Sequence, residues 1–134
     1  MNGTHDAPLA LRPLWLAIGW AGIALDLWLS LTSTPPPPGV LYGFDAAHAS
    51  AYATLMFWFA QLYSGRARLV AALGLVALGV ILEILQGFNP VREMSFTDMR
   101  DNAIGVALGW LLAVTPLGRL VSALDGRLAR RLVH

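Results

Sequence analysis

The chain contains no cysteine. Disulfides, thiolate nucleophiles and zinc–thiolate sites are therefore excluded. It also contains no lysine: all nine basic residues are arginine, a usage that carries no functional inference. Charge of either sign is scarce, at 13% of 134 residues with a net charge of +1, which excludes a strongly basic nucleic-acid binder. Not one Asp, Glu, Lys or Arg falls between Ala46 and Tyr63. What is present instead is apolar: 57% of residues are hydrophobic and the mean hydropathy is +0.61, outside the usual range of a soluble domain. A soluble helical bundle needs a polar outer face on every helix, and these segments lack one. The expectation is a single all-α membrane domain over residues 1–134.

Four apolar segments approach spanning length, at about 13–31, 46–63, 69–86 and 98–121. A hydrocarbon core of ~30 Å takes ~20 helical residues, with ~17–25 tolerated. The third segment is the weakest, since only 14 residues separate Arg68 from Glu83. Pro13 suits a helix start, and the run from Thr32 through Pro35, Pro36, Pro37 and Pro38 to Gly39 stops the first helix and favours polyproline II. The first segment reads as a span, not a cleaved signal: it is long, holds Asp26 and has no small-x-small site before the prolines. Seven arginines (Arg12, Arg66, Arg68, Arg119, Arg127, Arg130, Arg131) flank one side of the spans and two (Arg92, Arg100) the other. That bias predicts four spans with both termini cytoplasmic. In the basic tail 122–134, Leu120, Leu124, Leu128 and Leu132 repeat every four residues, as in a helix lying on the inner leaflet. Asp125-Gly126 argues against that helix, and a frayed tail is the alternative.

The few polar residues gather at the outward ends of the spans, where charge is costly and is usually retained for a partner or a job. Asp45, His48 and Tyr52 are spaced i, i+3, i+7 on one helical face; a helix cap, a headgroup-level His and an interfacial Tyr are the ordinary alternative. Glu83 and Gln86 share a face at the end of the third span, where the helix dipole disfavours a carboxylate. Arg92 is the expected cation for Glu83, through a bidentate pair. Asp98 and Asn102 continue into Gly105 and Gly109 at i, i+4, i+7, i+11, a small-xxx-small stripe suited to close helix packing; Asp98 also suits a helix cap. Asp26, about five residues below the outer end of the first span, reaches the same site or sits protonated by desolvation.

Asp45-x-x-His48-x-x-x-Tyr52, Glu83-x-x-Gln86, Pro90-x-Arg92 and Asp98-x-x-x-Asn102-x-x-Gly105-x-x-x-Gly109 together resemble the VanZ-like membrane proteins. The resemblance runs from about Ser30 to Leu112 and includes Ser30-Leu31-Thr32. One departure is Ala46, where the family often carries Lys after the first Asp. The resemblance implies a small multi-pass protein of the bacterial inner membrane, in a family whose founding member is associated with teicoplanin resistance. A shared fold does not transfer a substrate.

Three function classes fit the residues. The first is an outward pocket for a membrane lipid or lipid-linked envelope precursor, with Arg92 and Arg100 on phosphate and Glu83, Gln86 and Asn102 on hydroxyls or amides. The second is an intramembrane hydrolase or transferase with His48 as acid or base, oriented by Asp45 or Asp98, and Arg92 on an oxyanion; no Ser or Cys nucleophile motif accompanies it. The third is a proton-coupled carrier using Asp26 and Glu83, for which four spans are few without a homodimer. A metal site from Asp45, His48, Glu83 and Asp98 is disfavoured, since one His is thin for zinc, and no cofactor is expected.

Overall fold

The computed structural model describes residues 8–33, 40–41 and 44–132. Five helices follow one another: α1 Arg12–Leu31, α2 Ala46–Leu62, α3 Gly65–Gln86, α4 Phe96–Ala113 and α5 Leu120–Leu132. The strands among the described residues form one short ribbon, Val40–Leu41 antiparallel to Phe44–Asp45, with Val40 opposite Asp45. Most of the proline tract lies outside the described residues.

Helix α2 is the axis of the bundle. Its buried residues run from Ala49 through Met56 to Leu62, and it touches each of the other helices. Helix α4 lies parallel to it, because Gly105 faces the backbone of Ala49 and Gly109 that of Ala53. The absence of a β-carbon at both glycines is what lets the two backbones meet. Helix α1 runs antiparallel, with Gly19 against Phe59 and Gly22 against Leu55. Helix α3 is antiparallel to α4, with Gly79 against Asn102. The C-terminal ends of α1 and α3 therefore meet the N-terminal ends of α2 and α4 at one pole.

The outer surface is apolar. Trp20, Leu25 and Trp28 on α1, Val70, Leu73 and Ile81 on α3, and Leu108 and Leu111 on α4 are all exposed. Helices α1 and α3 are long and apolar enough to cross a membrane, and the bent pair of α4 with the C-terminal segment makes a third if it counts as one span. Helix α2 has 17 residues, at the short end of what a bilayer tolerates.

Two boundaries differ from the sequence expectation. Helix α3 begins at Gly65, not near Leu69. Its turn uses Gly65 at φ 52°, a left-handed conformation that suits glycine. Arg66 and Arg68 lie inside the first two turns; Arg68 donates Nε–H to the Tyr63 carbonyl (3.0 Å) and sits over the Trp110 ring (6.0 Å). The weak third segment thereby gains a 22-residue helix.

The fourth segment is not one helix to Val121. It stops at Ala113, passes through a 3-10 turn at Pro116–Arg119 and restarts 74° away. Pro116 has no N–H to continue the ladder. The Leu112 carbonyl instead accepts from Thr115 N–H (3.1 Å) and Thr115 Oγ1–H (2.6 Å).

The tail is helical, but its buried face is not the leucine stripe. Val121 and Asp125 face inward, while Leu120, Leu128 and Leu132 stay exposed. The Asp125 carboxylate accepts from Ala10 N–H (2.7 Å), Leu11 N–H (2.8 Å) and Trp15 Nε1–H (2.7 Å), tying α5 to the start of α1. Burial pushes its pKa up, but these three donors outweigh burial and hold it below the usual carboxylate range. Its contribution is complete above the unfolded value of about 3.9 and is lost as pH falls through the lower folded value. Asp125→Asn should therefore lower the thermal midpoint at neutral pH, and the gap from the parent should close in strong acid. A pH series of thermal melts in detergent checks both.

Candidate functional site

The polar pole holds a cavity of about 300 Å³. Asp45, His48, Tyr52, Glu83, Gln86, Arg92, Asp98 and Asn102 all line it, together with Asp26, Leu29 and Ser30. The residues come from the last turns of α1 and α3, the first turns of α2 and α4, and the loop before α4. Asp26 thus joins the site from below.

Each wall has a local cause. Asp45 caps α2: its Oδ1 accepts from Ala47 N–H (2.8 Å) and His48 N–H (3.2 Å). Its own N–H donates to Asp101 Oδ2 (2.7 Å). Capping is the ordinary role for Asp at this position, and it fixes the first turn that carries His48. The His48 ring then lies with Nδ1 3.2 Å from Asn102 Oδ1 and 3.7 Å from Glu83 Oε1.

Glu83 is only 1% exposed. It sits in the last turn of α3, where orphan carbonyls make the field negative. Arg92 does not pair with it; among the described residues no ion pair joins the two. Arg92 instead reaches back to α1, donating Nη2–H to the Leu29 carbonyl (2.7 Å). Leu29 lies in the last turn of α1, whose final carbonyls lack intrahelical partners, so they compete for the guanidinium. Glu83 Oε2 is satisfied by Ser95 N–H (3.1 Å), and Gln86 donates Nε2–H to the Ser30 carbonyl (2.9 Å).

Ser95, not Asp98, caps α4: Ser95 Oγ accepts from Asp98 N–H (3.1 Å). In a reciprocal capping box the acid three residues on would accept from the cap residue's N–H. Here Glu83 takes that N–H, so Asp98 keeps its carboxylate for the cavity. One donor atom from each of His48, Glu83 and Asp98 lies within 4.8 Å of the others, and among the described residues these three form the set able to hold a cation.

Arg92 Nε is buried with no hydrogen-bond partner among the described residues, while the buried Tyr52 hydroxyl and Asp26 carboxylate pair with each other. All belong to residues lining the cavity. Buried polar groups are satisfied in the great majority of cases, so the open Arg92 Nε is directed at whatever occupies the cavity.

Sequence reasoning missed Asp101. It is fully buried (0% exposed) and receives Arg100 through Nε (2.8 Å) and Nη2 (2.7 Å) besides Asp45 N–H. Its signal was present, because Asp101 lies three residues from Asp98 and four from Gly105, on the same face. Ser95 was also legible as a cap, three residues before an acid. No protein-family model, curated protein or solved structure matches the chain.

Proposed function

We propose that the protein is a four-span membrane protein of the VanZ-like type, with both termini cytoplasmic, in the bacterial inner membrane. In this reading the polar cavity faces outward and receives the phosphate-bearing headgroup of a lipid or lipid-linked envelope precursor. The arginine asymmetry of the loops supports the orientation. The exposed leucines and Arg127, Arg130 and Arg131 of α5 fit its placement on the anionic inner leaflet.

One observation carries the ligand class: Arg92 lines the cavity with a buried Nε that has no partner among the described residues, while its Nη2 is fixed on the Leu29 carbonyl. A guanidinium anchored at one nitrogen and open at another is preorganised for a phosphate oxygen. The apolar outer faces of α1 and α3 accommodate acyl or prenyl chains beside the site. Sequestering such a precursor would alter glycopeptide susceptibility in the manner the family resemblance implies.

The test is native mass spectrometry of the detergent-solubilised protein with a polyprenyl phosphate, phosphatidylglycerol and diacylglycerol. The phosphate lipids should be retained and diacylglycerol should not. Arg92→Gln should weaken retention at least tenfold, roughly 1.4 kcal/mol. Equal retention of diacylglycerol, or an unchanged Arg92→Gln protein, overturns the reading.

A second reading is an intramembrane hydrolase or transferase at the same cavity. The observation that favours it is the His48 ring poised between Glu83 and Asn102, an arrangement suited to proton transfer. Release of product from the bound phosphate lipid would establish that reading over simple binding.

A further inference from the structure

We propose that His48, Glu83 and Asp98 bind a divalent first-row metal ion. The three side chains come from α2, α3 and α4, within the set that a single His makes thin for zinc on sequence grounds. Folding brings one donor atom of each within 4.8 Å of the others. Small side-chain adjustments bring such a set to the ~2.0–2.2 Å bonds of a metal shell.

The charge pattern points the same way. Two carboxylates and one imidazole converge at the end of an apolar bundle, with Glu83 Oε1 3.7 Å from His48 Nδ1, too far for a hydrogen bond. Among the described residues Arg92 makes no ion pair with either acid: its Nη2–H goes to the Leu29 carbonyl, and it reaches Glu83 only through its field. A dication would neutralise both acids at once.

The surrounding bonds also suit ligand positioning: Ser95 N–H holds the second oxygen of Glu83, and Asp45 holds the first turn bearing His48. Metal sites depend on such outer hydrogen bonds to orient their ligands. Oxygen-rich donors with one imidazole favour manganese(II), iron(II) or zinc(II) over copper(I). Three protein ligands beside a cavity of about 300 Å³ leave coordination positions open.

The test uses full-length protein in detergent, stripped with a chelator, dialysed, and titrated with manganese(II) without added lipid. Electron paramagnetic resonance should show one bound ion per chain, displaced by zinc(II). The pulsed spectrum should contain the hyperfine coupling of one imidazole nitrogen. His48→Gln should abolish that coupling and weaken binding at least about tenfold, and Asp98→Asn should weaken it similarly. Glu93→Gln, at an exposed loop residue, should bind as the parent does.

No saturable binding to monodisperse, helical parent protein overturns the proposal. So does binding without nitrogen coupling, or binding unchanged in both His48→Gln and Asp98→Asn. The coupling is read on the parent, so a variant that fails to fold leaves the proposal decidable. The proposal goes beyond the headgroup reading and does not rest on it, since a metal-free protein that retains phosphate lipid through Arg92 would sink only the metal.

Discussion

Gly105→Ala should lower the thermal midpoint in detergent more than a methyl group added at any exposed glycine of the bundle. A β-carbon at Gly105 would collide with the carbonyl oxygen of Ala49 and press within 3.0 Å of its backbone carbons. The obstacle is backbone in a buried helix, so no rotamer change relieves it. Helices α2 and α4 must separate, and Gly109, packed against Ala53, Met56 and Phe57 one turn further on, prevents a simple pivot. Overpacking a tight core typically costs ~1–3 kcal/mol, and contact with rigid backbone places this substitution at the upper end.

Gly74→Ala is the matched control. Nothing lies within 4 Å of a β-carbon there, and replacing glycine inside a helix gains roughly 0.5–1 kcal/mol. The two variants should therefore shift the midpoint in opposite directions. A Gly105→Ala protein as stable as its parent would show that α2 and α4 do not touch at this turn. The same separation would pull Asn102 from His48, so ligand binding should fall with stability.

That contact was legible because glycine at i and i+4 on an apolar helix has one common structural use. The polar site was legible for a related reason: in an apolar chain, each ionisable residue stands out against its background. Partner choice was not legible. The pairing of Glu83 with Arg92 was inferred from opposite charge and a short loop, yet the Leu29 carbonyl and the Ser95 N–H take those groups instead. Backbone donors and acceptors at helix ends compete with side chains, and sequence spacing does not reveal which ends meet. The break at Pro116 was legible in principle, since proline inside a helical run ends it; hydropathy alone carried the expected span past it. The helical tail turned on Asp125, whose three donors lie at the opposite end of the chain. Read locally, Asp125-Gly126 looks like a helix breaker. Tertiary bonds reverse that.

The loss of Asp101 should loosen the polar pole without unfolding the bundle. Asp101 is fully buried, and its Oδ2 accepts the N–H of Asp45 at 2.7 Å. Asp45 in turn caps α2 through the N–H groups of Ala47 and His48. The carboxylate of α4 therefore positions the first turn of α2 and, through it, the His48 ring. In Asp101→Ala the Asp45 N–H loses a charged acceptor inside the protein, a deletion that costs ~1.5–3 kcal/mol. Arg100 is not stranded in the same way: its side chain is 52% exposed, so water already reaches its charge. The larger penalty falls on the α2 cap, not on the ion pair. Hydrogen exchange locates it. The amides of Asp45, Ala47 and His48 should exchange faster in Asp101→Ala, while those of Met56 to Leu62 in the buried half of α2 should stay protected. Manganese binding should weaken as well, because His48 is no longer held against Glu83 and Asn102. Unchanged exchange at Asp45 would mean that Asp101 serves Arg100 alone, and the first turn of α2 would then be held by its own cap.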